Sequence, residues 1–127
     1  MSLSAGVDII ELDRVRRVIE HHGERFLGRI YTAGELAWYR GRLPELAVRL
    51  AAKEAVSKAL GVGLRHISDH GIGWQDVEVL SDPYGKPLLQ LSGRAQALAE
   101  EQGLRDWAIS LSHSRDYAVA FVVATGQ

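Results

Sequence analysis

The run from Arg49 to Gly61 constrains the fold of this chain most, because it places four charges on an otherwise apolar helical segment. Lys53, Glu54 and Lys58 are nearly surrounded there by leucine, alanine and valine. An unpaired charge buried among such residues is costly. We therefore expect these charges to be paired, to bind a metal or to line a cleft. The alternative is an amphipathic helix whose lysines reach solvent, with a Glu54–Lys58 pair one turn apart.

Length and composition indicate one small globular domain. The chain has 127 residues, of which 46% are hydrophobic and 24% charged, an ordinary balance for such a domain. No apolar stretch approaches the roughly 20 residues that span a bilayer, and the start lacks the pattern of a secretion signal. Cysteine is absent, which excludes disulfides and thiolate chemistry. We expect a cytoplasmic protein without a membrane partner.

The net charge of −1 gives no reason to expect binding to nucleic acid. Its distribution is more informative, because arginines are concentrated in the first half of the chain. A neutral protein with a basic region suits an acidic partner or a phosphorylated ligand, although solvated helix faces would also explain single arginines. The arginines of that half are Arg14, Arg16, Arg17, Arg25, Arg29, Arg40, Arg42 and Arg49.

Hydrophobic periodicity and turn residues predict an α+β domain with an antiparallel sheet and a long central helix. Each pair of later strands is joined by a tight turn, which favours antiparallel pairing over a doubly wound sheet. The predicted elements are a strand at 7–10, helices at 12–22, 32–40, 44–60 and 92–102, and strands at 77–79, 89–91, 107–111 and 117–123. Gly23, Gly61 and Gly103 are expected to end three of the helices.

Asp8 stands in an apolar strand, where aspartate is disfavoured. It either caps the following helix or has a function. If it meets Glu54, the two carboxylates repel unless a cation lies between them. Magnesium fits, because it takes oxygen ligands, needs few protein carboxylates and keeps water and phosphate in its shell. Lys58 lies one turn beyond Glu54, and such a trio suits phosphoryl-type transfer. The G-x-x-x-x-G-K-[ST] loop of P-loop enzymes is absent.

Four motifs occur in order along nearly the whole chain, from about Gly6 to Val123. They read G-x-D-I-x-x-x-x-R, R-x-A-A-K-E-A-x-x-K-A-x-G-x-G, G-K-P and S-x-S-H-x-x-x-Y-A-x-A. In this order they resemble the holo-acyl-carrier-protein synthases, the small phosphopantetheinyl transferases. The resemblance implies the 4′-phosphopantetheinyl transferase fold in a homotrimer, with an active site at each subunit interface.

The resemblance also implies a reaction. Coenzyme A is the donor, and a serine of an acyl carrier protein attacks its β-phosphorus and releases 3′,5′-ADP. Asp8 and Glu54 would hold Mg²⁺ against the pyrophosphate, and Lys58 would offset phosphate charge. The general base is left open between Glu54 and a metal-bound water.

Contacts with coenzyme A follow from the same resemblance. Arg49 and His113 would lie near the adenosine 3′-phosphate, for which their donors are suited. Arg40, Arg42 and Gly61 would contribute further contacts with the coenzyme. From position alone, a histidine at a strand end before a turn, such as His113, is more often simply solvated or bonded locally.

The first helix offers a docking surface for the carrier, which is acidic around its modified serine. Arg14 and Arg17 are three residues apart on one helix face, and Arg25 follows beyond the helix end. In a trimer, Arg14 is expected to approach the Asp8–Glu54 site from a neighbouring subunit.

Two other functions are compatible with the resemblance. The enzyme could serve carrier domains of polyketide or peptide synthetases instead of a fatty-acid carrier. A non-catalytic coenzyme A-binding module on the same fold should have lost Asp8, Glu54 or Lys58, and all three are present.

Overall fold

The computed structural model describes residues 2–65 and 69–126. In these ranges the chain forms β1 (Ser2–Glu11), α1 (Leu12–Ile30), α2 (Ala33–Tyr39), α3 (Leu43–Leu60), a 3₁₀ turn (Trp74–Asp76), β2 (Val77–Ser81), β3 (Pro87–Leu91), α4 (Gly93–Glu101), β4 (Asp106–His113) and β5 (Tyr117–Gly126). One antiparallel sheet has the order β1-β5-β4, and β2 pairs with β3 in a separate hairpin. The predicted α+β class and long central helix are confirmed.

Small residues allow α3 to pack closely on the three-stranded sheet. One buried cluster contains residues of both elements: Ala51, Ala52, Ala55, Ala59, Ala120, Val122 and Ala124. At Gly6 the approach is closest, since a Cβ there would lie 2.0 Å from the carbonyl oxygen of Ala55. This contact sets β1, and therefore Asp8, against the second half of α3.

Local signals fix the ends of two helices as predicted. The Thr32 hydroxyl accepts a hydrogen bond from the Glu35 amide, and the Glu35 carboxylate accepts one from the Thr32 amide, which completes a capping box. Gly61 follows α3 with φ 77°, a left-handed conformation that glycine adopts without strain.

The first helix is longer than predicted. Gly23 interrupts it with φ 51° and ψ −133°, as expected of a glycine that ends a helix. Helical turns nevertheless resume as far as Ile30. Phe26, Leu27 and Ile30 pack in a cluster with Tyr31 and Leu46, and this packing supports the second segment.

Strand β1 is also longer than predicted, because it pairs with β5 along its whole length, from Ser2 opposite Gly126 to Glu11 opposite Tyr117.

The outer face of the three-stranded sheet is apolar and exposed. The large residues on this outer face are Leu3, Val7, Ile9, Tyr117 and Phe121, which are between 43% and 72% exposed. In the described part of the chain, no helix combines the length and the apolarity needed to cross a membrane.

Candidate active site

Asp8 of β1 and Lys58 of α3 form an ion pair. The Lys58 ammonium donates hydrogen bonds to Asp8 Oδ1 at 2.8 Å and to the Val7 carbonyl at 3.1 Å. The Asp8 side chain is only 10% exposed, and its buried Oδ2 has no hydrogen-bond partner among the described residues. Among the described residues, Lys58 forms its ion pair with Asp8. The alternative interpretation had expected a pair with Glu54.

Glu54 completes the group and is electrostatically unsatisfied. Burial raises the pKa of its carboxyl to about 7, and the neighbouring Asp8 carboxyl contributes to the rise. Lys58 and Arg14 act in the opposite direction. The structure therefore brings Asp8, Glu54 and Lys58 together, as the sequence predicted.

A cavity of about 400 Å³ opens beside the two carboxylates, and we call it the carboxylate pocket. Asp8, Glu54 and Arg14 line its polar part, whereas Phe26 and Trp74 belong to its apolar part. Arg14 of the same chain lines the pocket, and the approach of Arg14 from a neighbouring subunit stays a prediction.

The donor set of the carboxylate pocket fits a hard cation. Asp8 Oδ2 is buried without a partner, and burial together with the neighbouring Asp8 carboxyl raises the pKa of Glu54. Among the described residues no group of three or more histidine, cysteine, aspartate or glutamate side chains could hold a metal. Two carboxylates are suited to an ion, such as Mg²⁺, that takes its other ligands from water and substrate phosphate. They are too few for a structural zinc site, which needs four protein ligands.

A second cavity, of about 310 Å³, collects basic side chains, and we call it the arginine pocket. It is lined by Trp38, Arg42, Glu45, Val48, Arg49, Ser81, Gly85, Pro87, Leu111, Ser112 and His113. Arg49 and His113, which were predicted to lie near one phosphate, thus line one pocket together with Arg42. Their role in binding a phosphate stays a prediction. Arg40, which is exposed and ends α2 with φ 48°, lines neither pocket, and nor does the exposed Gly61.

The two pockets lie on different sides of α3. They share no lining residue. At 3.6 residues per turn, Glu54 is about 140° around the helix from Arg49. Within one chain, therefore, the central helix separates the carboxylates from the arginine pocket.

The arginines predicted to form a docking surface lie on α1. Arg14 and Arg17 line a shallow cavity together with His21 and His22, and Arg17 also pairs with Asp13 at 3.3 Å. The sequence interpretation did not include the two histidines. Arg25 is exposed in the second segment of α1, beyond Gly23.

Lys53 is paired as expected, but its partner was not foreseen. Its ammonium donates hydrogen bonds to Glu35 Oε1 at 2.8 Å, to the Trp74 carbonyl at 3.0 Å and to the Val77 carbonyl. Both charged side chains of the pair are 0% exposed. Burial lowers the pKa of Lys53, and the Glu35 carboxylate opposes that change. The capping-box spacing of Thr32 and Glu35 indicated a helix start at Thr32 and gave no sign of this second role of Glu35.

Relatives of known name match almost the whole chain. A holo-[acyl-carrier-protein] synthase of Herpetosiphon aurantiacus is 48% identical over 126 residues, covering 98% of this chain and 99% of the relative. A protein of the same name from Gloeobacter violaceus is 45% identical over 125 residues, covering 95% and 91%.

Solved structures agree with the fold. The holo-[acyl-carrier-protein] synthase of Helicobacter pylori in complex with coenzyme A superposes with a TM-score of 0.83 at 26% identity, covering 95% of this chain and 99% of that one. A synthase from Bacillus anthracis in complex with CoA (3′,5′-ADP) gives a TM-score of 0.76 at 35% identity, covering 98% and 96%. The sequence model of one family also matches residues 4–122. The chain thus belongs to the 4′-phosphopantetheinyl transferase superfamily.

Proposed function

We propose that this protein transfers the 4′-phosphopantetheine group of coenzyme A to a serine of apo-acyl carrier protein, for fatty acid biosynthesis in the cytoplasm. The products are holo-acyl carrier protein and adenosine 3′,5′-bisphosphate. The observation that carries the proposal is the grouping of Asp8, Glu54 and Lys58 at one pocket, in a chain whose relatives are holo-[acyl-carrier-protein] synthases.

The residues of the carboxylate pocket have distinct roles in this transfer. The serine oxygen forms a bond to the β-phosphorus while the phosphorus–oxygen bond to 3′,5′-ADP breaks. We propose Glu54 as the group that accepts the serine proton, because its carboxylate lines the pocket where the serine would react. The Lys58 ammonium is 56% exposed and can balance negative charge on the phosphates.

Asp8 and Glu54 are the residues that would hold Mg²⁺. The unpartnered Oδ2 of Asp8 and the raised pKa of Glu54 support this assignment. When bound there, the ion would neutralise charge on the pyrophosphate.

The arginine pocket is proposed to receive the 3′-phosphate of coenzyme A. Arg42 and His113 supply guanidinium and imidazole donors at its walls. The Arg49 guanidinium, which is buried and bonded to protein acceptors, adds positive charge. The resemblance to the family adds Arg40 and Gly61 as further contacts with the coenzyme.

A homotrimer would join the two pockets. Since α3 separates them within one chain, a neighbouring copy that places its arginine pocket beside the carboxylate pocket would complete the site. The exposed apolar sheet face supports such an assembly, because soluble monomers rarely leave large contiguous apolar patches uncovered. The acidic carrier protein is proposed to dock on Arg14, Arg17 and Arg25.

Mass spectrometry of an apo-carrier incubated with the protein, Mg²⁺ and coenzyme A tests the activity. We expect the serine of a stand-alone fatty-acid carrier to gain one phosphopantetheine group. An excised polyketide-synthase carrier domain, assayed in parallel, separates the fatty-acid assignment from the polyketide one. If neither carrier gains mass while coenzyme A still binds, the protein is the non-catalytic module instead.

A further inference from the structure

Among the described residues that line the arginine pocket, Glu45 is the one carboxylate. Its Oε2 accepts hydrogen bonds from Trp38 Nε1 at 2.7 Å and from an Arg49 guanidinium nitrogen at 3.1 Å. The indole donor holds the carboxylate in place, and the side chain is only 24% exposed. A negative charge is therefore built into the wall of a pocket proposed to bind phosphate.

Arg49 does not depend on this carboxylate for its position. Its Nε donates to the Val79 carbonyl at 2.8 Å, and one terminal nitrogen donates to Ser81 Oγ at 3.1 Å. The other terminal nitrogen also reaches the backbone carbonyl of Glu45 at 3.1 Å. With these bonds and only 1% exposure, the guanidinium would stay in place if the Glu45 side chain were neutral.

The Glu45 carboxylate therefore acts on a ligand mainly through its charge. It already balances part of the positive charge of Arg49, and it repels a phosphate that enters the arginine pocket. An adenosine with a 3′-phosphate experiences this repulsion, whereas one without that group does not.

We propose that Glu45 is a specificity-determining residue of the nucleotide site, an internal counter-anion that weakens binding of the 3′-phosphate. The proposal rests on the proposed function, since it takes the arginine pocket as the 3′-phosphate site. It implies that the protein holds the product 3′,5′-ADP less tightly than its basic groups would allow, which favours product release.

The test is calorimetric titration of the Glu45→Gln variant with 3′,5′-ADP and with 5′-AMP, which lacks the 3′-phosphate. Glutamine keeps an oxygen to accept from Trp38 and removes the charge. We expect 3′,5′-ADP to bind about tenfold more tightly than to the unsubstituted protein, and the affinity for 5′-AMP to change less than about twofold. Glu45→Ala, which is compatible with a helix and also neutral, should give the same selective gain if the glutamine variant folds poorly.

Glu100→Gln is the matched control. It removes the same charge from α4, outside the arginine pocket, and should leave both affinities unchanged. An unchanged or weaker affinity of both neutral Glu45 variants for 3′,5′-ADP would overturn the proposal, and so would an equal gain for the two nucleotides. If the unsubstituted protein binds neither nucleotide, the assignment of the arginine pocket in the proposed function fails as well.

Discussion

The two carboxylate oxygens of Asp8 have different surroundings, and the difference bears on its proposed role. One of its oxygens is bonded to Lys58, and the other is buried without a partner beside Glu54. A hydrogen bond between the protonated Glu54 carboxyl and Asp8 contributes to the raised pKa of Glu54. The second Asp8 oxygen is therefore open to a ligand when Glu54 is ionised.

Replacing Asp8 by alanine should reduce phosphopantetheine transfer by about a hundredfold or more, because electrostatic stabilisation at the reacting phosphate is lost. The loss should be accompanied by a smaller increase in the melting temperature on addition of Mg²⁺. Asp106→Asn, on the exposed start of β4, is the control and should keep both properties. A folded Asp8→Ala protein with normal turnover and normal response to Mg²⁺ would refute the assignment.

The raised pKa of Glu54 lowers the free energy of unfolding as the pH rises. Its folded pKa of about 7 lies above the ordinary value of 4.5, so the proton is bound more tightly in the folded state. The stability contributed by that proton is fully present below pH 4.5 and is lost as the pH rises through 7. In EDTA, Glu54→Gln should therefore stabilise the protein against denaturant more at pH 8 than at pH 5. Glu100→Gln should show no such dependence, and equal effects of Glu54→Gln at both pH values would contradict the prediction.

At the scale of the elements, the site depends on how closely β1 approaches α3. Gly6→Ala should destabilise the protein by about 1–3 kcal/mol in denaturant unfolding, because its Cβ would overlap the Ala55 carbonyl. It should also lower turnover by moving Asp8 away from Glu54. Gly28→Ala is the control, since nothing lies within 4 Å of a Cβ at that helical position. There alanine should be neutral or stabilising by about 0.5–1 kcal/mol, and equal losses at the two positions would count against the close-contact explanation.

The helices show which features the sequence alone can predict. The capping box at Thr32 and the glycine after α3 are local signals, and both were read correctly. The continuation of α1 beyond Gly23 depends on packing against Leu46, which no local pattern reveals.

The candidate site also has features that the sequence predicts and features that only the folded structure shows. Asp8, Glu54 and Lys58 could be grouped from their motifs. The Glu35–Lys53 pair and the position of the Glu45 side chain could not, because each depends on contacts that only the folded chain brings together.

For the whole molecule, the exposed sheet face should decide the oligomeric state. Phe121→Glu places a charge opposite Val7 on that face. We expect it to convert a trimer into monomers in sedimentation velocity and to abolish transfer, while circular dichroism stays unchanged. Leu88→Glu tests an equally exposed leucine, 48% accessible on β3, and should leave the trimer intact. Monomeric behaviour of the unsubstituted protein would rule out this role of the face.

The basic surface of α1 should govern the encounter with the carrier. Arg14→Glu combined with Arg17→Glu should raise the KM for the carrier much more than the KM for coenzyme A. It should also weaken the inhibition by salt, because screening acts only on attraction that exists. Arg105→Glu, on the exposed segment before β4, serves as a control of equal charge change per residue. The measurement is steady-state kinetics at two salt concentrations. An unchanged KM for the carrier would contradict the proposed docking surface.

The pairing of β1 with β5 also has a consequence for how the protein is made. These strands come from opposite ends of the chain, so their pairing requires closure of a long loop, which slows folding. During synthesis β1 emerges before β5 and cannot pair with it until β5 has left the ribosome. Because Asp8 lies opposite Ala120 of β5, a nascent chain that stops before β5 cannot form this pairing.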